Sequence, residues 1–217
     1  MEKAFFSCLF HRKENHMTQV NKDETEKVGF WKNWAKSMKL DTKSIAMNAI
    51  IAAMYAALTY AFFFCSYGPL QVRISEFMVL LAFFNPNYIY GLTIGCIVSN
   101  IYSPAFSAFC SPLDIAIGTL ATLIAALLIS FSRHLFVASI FPALSNGFLL
   151  AFEFTFLTNG EEIPTPAIFW TNFGWVCLGE VIAVCVLGYI IFMLLSKTRK
   201  QSFFKMIHAT QNLNFRF

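Results

Sequence analysis

The feature that most constrains this chain is a long central block that is almost free of charge. Residues 44–195 carry 8 of the 28 charged side chains and no lysine. Over the whole chain 57% of residues are hydrophobic and 13% are charged, against about 25% charged residues in ordinary soluble domains. The chain is therefore predicted to be an all-α, polytopic integral membrane protein and not a soluble globular enzyme.

Basic tails flank this block on both sides. The N-terminal tail, residues 1–43, contains nine Lys or Arg and six acidic residues, and the C-terminal tail, residues 196–217, contains five Lys or Arg and no acid. Positive charge next to apolar segments is typical of the cytoplasmic side of a membrane. We therefore expect three parts: a charged cytoplasmic N-terminal tail, a transmembrane domain and a basic cytoplasmic C-terminal tail. Nucleic-acid binding is not expected.

The N-terminal tail contains one stretch with helical periodicity. Val28, Trp31, Ala35 and Met38 recur at helical spacing with lysines between them. This pattern favours an amphipathic helix on the inner leaflet of the lipid bilayer. The alternative is a disordered basic tail.

Six apolar segments can be placed between proline and polar residues. A helix needs about 20 apolar residues to cross the hydrocarbon core. The predicted spans are 45–67, 75–84, 88–102, 113–131, 135–157 and 167–195. The second is short, because ten residues reach only about 15 Å, so Asn85-Pro86-Asn87 is either a turn or a break in one long span. Two basic tails require an even number of crossings, which favours a six-helix bundle with one short helix.

Strongly polar side chains converge on the outer half of the predicted bundle. An ionised side chain at the bilayer centre costs at least ~2.5 kcal/mol, so such residues normally face a cavity, a partner or a ligand. The candidate substrate-binding residues are Arg73, Glu76, Asn100, Asp114, Asn146, Glu153, Trp170, Asn172 and Glu180. Trp170 is either a stacking platform or part of the interfacial aromatic belt. The convergence predicts an outward-opening polar pocket.

Several candidates also have a purely structural explanation. Arg73 and Glu76 are three residues apart and can pair with each other. Asp114 can stabilise the start of a helix through the helix dipole. Asn146 can make an interhelical hydrogen bond. Glu180, a lone carboxylate deep in a long span, favours a functional role.

Small residues form two stripes. Ala49, Ala53 and Ala57 recur every four residues in the first span, and residues 91–99 contain Gly, Gly and Ser at the same spacing. Such stripes allow another backbone to approach closely. The second stripe is predicted to pack inside the bundle.

Motifs of several enzyme classes are missing from the sequence. It contains no GxxxxGK[ST] loop, no HExxH helix and no GxSxG elbow. The cysteines form no metal-ligand spacing and the histidines lie outside the apolar blocks, so neither a metal nor a cofactor is expected. If ATP drives transport by this chain, a partner must supply the ATPase.

Three blocks of the sequence resemble a known family. They read GPLQVRISEFMVLLAFFNPNYIYGLTIGCIVSN, LDIAIGTLATLIAALL and FWTNFGWVCLGEVIAVCVLGY. They resemble the QueT family, bacterial cell-membrane proteins regarded as substrate-binding S components of energy-coupling factor (ECF) transporters for queuosine precursors. The resemblance implies a six-helix bundle that docks on a membrane coupling subunit through Ala49, Ala53 and Ala57, with two cytoplasmic ATPase subunits driving uptake. The long N-terminal tail departs from this compact pattern.

The ligand implied by the resemblance is a 7-deazaguanine base. Its guanine-like edge presents adjacent N–H donors, which a carboxylate accepts as a two-point pair, and a 7-aminomethyl group would add a cation that requires a second acid. Three alternatives remain open from the residues. They are a proton-coupled secondary carrier that uses Glu153 and Glu180, an S component for another vitamin, and a membrane adaptor that binds no small molecule.

Overall fold

The computed structural model describes residues 31–67, 71–101, 111–158 and 163–198. Within these ranges the regular elements are all helical and no strand occurs. The chain divides into two units, Met1–Lys39 and Leu40–Phe217. In the first unit residues 31–37 are helical, which agrees with the helical periodicity of the tail. Val28 lies outside the described residues, and the contact of this helix with a bilayer stays a prediction.

The first long helix of the second unit, α1, spans Thr42–Ala61. The Asp41 carboxylate caps it by accepting a hydrogen bond from the Ser44 N–H (2.9 Å). Hydrogen bonds from Ser44 hold the pKa of this exposed carboxyl below its usual value. A single turn of helix, Phe63–Ser66, follows. The predicted span 45–67 therefore consists of one long helix and one short turn.

Two shorter helices follow α1. Helix α2 spans Ile74–Phe84, and its first part, Ile74–Leu80, is a 3-10 helix. Helix α3 spans Ile89–Ile101. Between them Asn85 leaves the helical conformation, and its side chain accepts a hydrogen bond from the Asn87 N–H (3.1 Å).

The chain reverses direction between α2 and α3. The Ser75 hydroxyl, at the start of α2, is 2.7 Å from the Thr59 hydroxyl of α1, and the Ser99 hydroxyl, near the end of α3, donates to the same Thr59 oxygen (3.3 Å). The start of α2 and the end of α3 therefore both contact Thr59, so the two helices run antiparallel. Asn85-Pro86-Asn87 is therefore a turn and not a break in one long helix. The Asn48 amide of α1 donates a hydrogen bond to this turn (2.6 Å).

Three long helices complete the described part of the second unit. Helix α4 spans Asp114–Phe131, α5 consists of Leu135–Phe152 and a π-helical end at Glu153–Leu157, and α6 consists of Pro166–Glu180, a π-helical stretch at Val181–Gly188 and Tyr189–Thr198. With α1 they are the four helices in the described ranges that are long and apolar enough to cross a membrane. The predicted spans of these three helices agree with the structure to within one residue at the N-terminal ends. Six crossings with cytoplasmic ends stay a prediction.

Helices α1 and α3 pack closely because α3 presents small residues to α1. A Cβ at Gly95 would lie 2.8 Å from the Tyr55 Cβ and 3.0 Å from the Ala52 carbonyl oxygen, and a Cβ at Gly91 would lie 2.6 Å from the Asn48 carbonyl oxygen. Only glycine permits this backbone approach. The prediction that the stripe in residues 91–99 packs inside the bundle is confirmed.

Candidate functional site

The interior of the bundle contains five ionisable side chains, which we call the buried charge cluster; they come from the start of α2 and from α4, α5 and α6. It consists of Arg73, Glu76, Asp114, Glu153 and Glu180, each no more than 3% exposed. Electrostatic interactions connect Arg73 with Glu76 and Asp114, and connect Glu180 with Glu76 and Arg73. Glu153 interacts with Asp114 and Arg73. The structure therefore brings together all five ionisable residues that were predicted from the sequence as candidate substrate-binding residues.

Glu76 is anchored by hydroxyl groups from two neighbouring helices. Its Oε1 accepts hydrogen bonds from the Tyr55 hydroxyl of α1 (2.5 Å) and from the Thr122 hydroxyl of α4 (3.2 Å). Its Oε2 is buried and has no hydrogen-bond partner among the described residues. Neither oxygen pairs directly with Arg73, three residues earlier. The carboxyl group is thus fixed in position with one acceptor atom left over.

Arg73 is supported by an aromatic ring. Its guanidinium carbon lies 5.9 Å from the centroid of the Tyr67 ring, a cation–π distance, and the Tyr67 hydroxyl donates to the Ser99 carbonyl (2.8 Å). The Arg73 Nε and Nη2 atoms are buried and find no acceptor in the described ranges. Because a buried donor without an acceptor is costly, the guanidinium has donors to offer to a bound molecule.

The carboxyl groups of Asp114 and Glu153 are close enough to interact electrostatically. Asp114 is the first residue of α4, and its Oδ2 accepts a hydrogen bond from the Ser111 N–H (3.2 Å). This agrees with the helix-start explanation for Asp114. Its Oδ1 and both oxygens of Glu153 have no hydrogen-bond partner within the part of the chain that is described. Two neighbouring carboxylates repel each other unless one of them is protonated or a cation lies nearby.

Glu180 and Asn146 form a second acceptor pair. The Asn146 Nδ2 donates to the Glu180 Oε1 (2.6 Å) and joins α5 to α6. The prediction that Asn146 can make an interhelical hydrogen bond is confirmed. Glu180 Oε2 and Asn146 Oδ1 are buried and unpartnered among the described residues. Two adjacent side chains therefore each keep one acceptor oxygen for a further donor.

The remaining three candidates lie in different places. Asn100 is fully buried, and its Nδ2 donates to the Asp114 carbonyl (2.9 Å), which places it beside the cluster. The Asn172 Nδ2 donates to the Thr155 hydroxyl (3.2 Å) and ties α6 to the π-helical end of α5. Trp170 is 61% exposed and lines an open apolar groove at the adjoining ends of α5 and α6. The structure does not bring Trp170 to the buried charge cluster.

Two positions beside the cluster were not nominated from the sequence. Gln71 is buried and has a positive φ of 45°, the left-handed conformation that non-glycine residues rarely adopt. Gly118 adjoins two site residues, because its Cβ would lie 3.0 Å from Asn100 Nδ2 and 3.9 Å from Arg73 Nη1. Gly118 could have been predicted from its spacing, because it follows Asp114 by one helical turn and so lies on the same face of α4.

The alanine stripe of α1 lies on the outside of the described bundle. Ala49, Ala53 and Ala57 are exposed, whereas Ala52 and Ala56 on the neighbouring face are buried. The α1 helix thus has one alanine face that contacts α3 and another that no described residue covers. Among the described residues, no three His, Cys, Asp or Glu side chains are grouped as metal ligands.

Comparison with known proteins gives one family and one curated relative. A family model described as QueT transporter matches residues 45–197, which is more than half of the chain. The protein named Queuosine precursor transporter QueT from Lactococcus lactis subsp. cremoris (strain MG1363) is 41% identical over 88 residues. This match covers 40% of the present chain and 48% of the relative, so it spans about half the length of that relative. No solved structure matches the chain.

Proposed function

Because the chain belongs to the QueT transporter family, we propose that it is the substrate-binding S component of an ECF importer for queuosine precursors. The name of the curated relative supports this substrate class. In this role the chain is a multi-pass membrane protein that binds its solute, and it catalyses no covalent reaction. Family membership does not favour the alternative of a proton-coupled secondary carrier.

The observation that carries the proposal is the set of unpartnered polar atoms in the interior of the bundle. An unmade hydrogen bond at a buried group costs about 1–3 kcal/mol, so retaining several such groups is unfavourable unless a ligand pairs them. A 7-deazaguanine base has complementary groups. Its carbonyl oxygen can accept from Arg73, and its ring N–H and amino groups can donate to Glu180 Oε2 and Asn146 Oδ1.

The short helices support a six-segment topology with both tails in the cytoplasm. The 3-10 conformation rises about 2.0 Å per residue, so the seven residues of Ile74–Leu80 and the four of Leu81–Phe84 reach roughly 20 Å. The 13 residues of α3 reach a similar length. Two antiparallel helices of equal reach return the chain to the side from which it came. They add an even number of segments to the four long helices.

The exposed alanine stripe supports docking on a membrane coupling subunit. Ala49, Ala53 and Ala57 offer a surface that a second helix can approach closely. The sequence contains no ATP-binding loop of the GxxxxGK[ST] type, and two cytoplasmic ATPase subunits would supply the energy through the coupling subunit.

The proposal is tested by calorimetric titration of the purified full chain with 7-deazaguanine bases. Glu180→Gln retains an acceptor for Asn146 but turns the free Oε2 into a donor that faces the donors of the base. We expect at least tenfold weaker binding, about 1.4 kcal/mol. The matched control is Asp41→Asn, an exposed carboxyl-to-amide change at a position where asparagine caps equally well.

Two outcomes would change the proposal. If none of the 7-deazaguanine bases binds the wild-type chain, the substrate class is wrong. If Glu180→Gln binds normally while Glu153→Gln or Asp114→Asn does not, the recognition carboxylate is a different member of the cluster and Glu180 serves helix pairing with Asn146.

A further inference from the structure

The segment that leads into α2 contains a buried polar residue with a strained backbone. Gln71 is 3% exposed. It is the one non-glycine residue with a positive φ, 45°, among the described residues. Such a conformation is energetically costly and is concentrated at active sites and ligand clamps. Because glycine would adopt the same φ without strain, the presence of glutamine indicates a function for its side chain.

Backbone hydrogen bonds connect Gln71 to the buried charge cluster. The Arg73 N–H donates to the Gln71 carbonyl (2.9 Å), and the Glu76 N–H donates to the Arg73 carbonyl (3.0 Å). Gln71 and Arg73 are both buried, whereas Val72 between them is half-buried. The strained residue is therefore part of the tight turn that fixes Arg73 at the start of α2.

Gln71 and Arg73 carry complementary polar atoms that do not pair with each other. The Gln71 Oε1 is buried and has no hydrogen-bond partner within the described ranges, and the same is true of the Arg73 Nε and Nη2 atoms. Unmade hydrogen bonds at buried groups are costly, and these two side chains are only two residues apart. The turn thus holds one open acceptor and two open donors, which a molecule with the opposite pattern would complete.

We infer that Gln71 is a ligand-binding residue, which together with Arg73 recognises a ring edge where a carbonyl lies next to an N–H. This inference rests on the proposed function, because a 7-deazaguanine base has such an edge. The carbonyl oxygen accepts from Arg73, and the neighbouring ring N–H donates to the Gln71 Oε1. The two hydrogens of the amino group remain for Glu180 Oε2 and Asn146 Oδ1.

The two side chains contribute differently to the choice of ligand. An amide carries both an acceptor and a donor, so Gln71 can also turn its N–H towards a bare ring nitrogen, whereas a guanidinium only donates. An adenine-like edge places an amino group where the carbonyl belongs and therefore opposes donor to donor at Arg73. Arg73 thus excludes the adenine-like edge, and Gln71 adds affinity for the guanine-like edge.

The first experiment removes the acceptor with and without the backbone strain. Gln71→Met keeps a side chain of similar length at the same φ, and Gln71→Gly removes both the side chain and the strain. We expect both variants, in lipid nanodiscs, to bind 7-deazaguanine at least about fivefold more weakly by calorimetry. Without ligand, Gln71→Gly should unfold at the same or a higher temperature than the wild type. Gln201→Met, the same change in the C-terminal tail, should retain full affinity.

Three outcomes contradict the inference. If the wild type binds the base and both Gln71 variants bind it equally well, Gln71 is not a ligand-binding residue while the proposed function stands. If Gln71→Gly unfolds at a lower temperature than the wild type, Gln71 holds the fold and not the ligand. If the base does not bind the wild-type chain, the proposed function fails and the inference fails with it.

The second experiment identifies the N–H that Gln71 accepts. The probes are 7-deazaguanine and its N1-methyl and N9-methyl derivatives, since only N1 lies beside the carbonyl. We expect the N1-methyl base to bind the wild type at least about fivefold more weakly than the parent base. In Gln71→Gly, which also opens space for the methyl group, this ratio should fall to within about twofold of one. The N9-methyl base is the matched control, and its ratio to the parent base should be the same in both chains. An N1-methyl ratio that does not change in Gln71→Gly would show that Gln71 does not contact this edge.

Discussion

Gly118 leaves room for two polar side chains that border the proposed binding site. An added Cβ would approach Asn100 Nδ2 to 3.0 Å, whereas Arg73 Nη1 would stay at an ordinary contact distance of 3.9 Å. The Asn100 amide also donates to the Asp114 carbonyl, so moving the amide would disturb the contact between α3 and α4. Glycine is therefore favoured at position 118 because a larger side chain would crowd the Asn100 amide, and not because of the backbone conformation there.

We expect Gly118→Ala to weaken binding of a 7-deazaguanine base by roughly fivefold, about 1 kcal/mol, because the Asn100 amide must shift. Calorimetry on the purified chain measures this change. The matched control is Gly174→Ala on α6, where a Cβ would meet no atom within 4 Å. This control should retain full affinity and unfold at the same or a higher temperature, since alanine is the better helix former. Equal affinities for both variants would place Gly118 away from the site.

Among the individual site residues, the charged ones could be predicted from the sequence because ionisable groups are conspicuous in an apolar block. Tyr55 and Thr122, which hold Glu76, give no such signal, since hydroxyl-bearing residues are frequent throughout the membrane domain. The orientation of Trp170 could not be found either. A single aromatic residue near a helix start carries no information about whether its ring faces the interior or the surrounding lipid.

At the scale of the helix, the ends of the long spans were predictable because polar residues and prolines mark them. Pro166 begins α6, and Asp114 begins α4. The turn between α2 and α3 was not predictable from the same signals. Asn-Pro-Asn can end a helix or interrupt it, and the decision depends on tertiary contacts of Thr59 with residues 16 and 40 positions away.

Substitution by tryptophan should have different effects at two adjacent alanines of α1, with loss of docking at Ala53 and loss of stability at Ala52. Ala53→Trp adds bulk on the exposed face and should abolish co-purification with the coupling subunit and uptake into cells, with ligand affinity of the isolated chain nearly unchanged. Ala52→Trp adds the same bulk where the Gly95 Cβ position is 3.1 Å from the Ala52 Cα. It should unfold the bundle or lower its thermal midpoint by several degrees, because overpacking costs about 1–3 kcal/mol.

Fluorescence-detected size exclusion and a pull-down with the coupling subunit separate these effects. Loss of ligand binding in Ala53→Trp would show that this face packs inside the folded chain. Normal co-purification of Ala53→Trp with the coupling subunit would show that the alanine stripe is not part of the docking surface.

For the molecule as a whole, the position of the tails follows from the number of membrane segments. In a background without native cysteines, an impermeant thiol reagent applied to intact cells should label Glu162→Cys. It should leave Lys39→Cys and Gln201→Cys unlabelled until the cells are lysed, because the proposed topology puts both basic tails in the cytoplasm. External labelling of Gln201→Cys would require an odd number of crossings and would put the two tails on opposite sides.

The π-helical stretches of α5 and α6 change how the sequence of this molecule must be compared with others. Glu153 opens the first stretch, and Glu180 directly precedes the second, Val181–Gly188. A helical wheel advances about 100° per residue for α geometry, but hydrogen bonds from i to i+5 add a residue to each turn. A wheel drawn through all of α6 therefore loses phase after Glu180. Related chains that lack the extra residue would need a one-residue gap there, and an ungapped alignment would assign the residues of Tyr189–Thr198 to the wrong side of the helix.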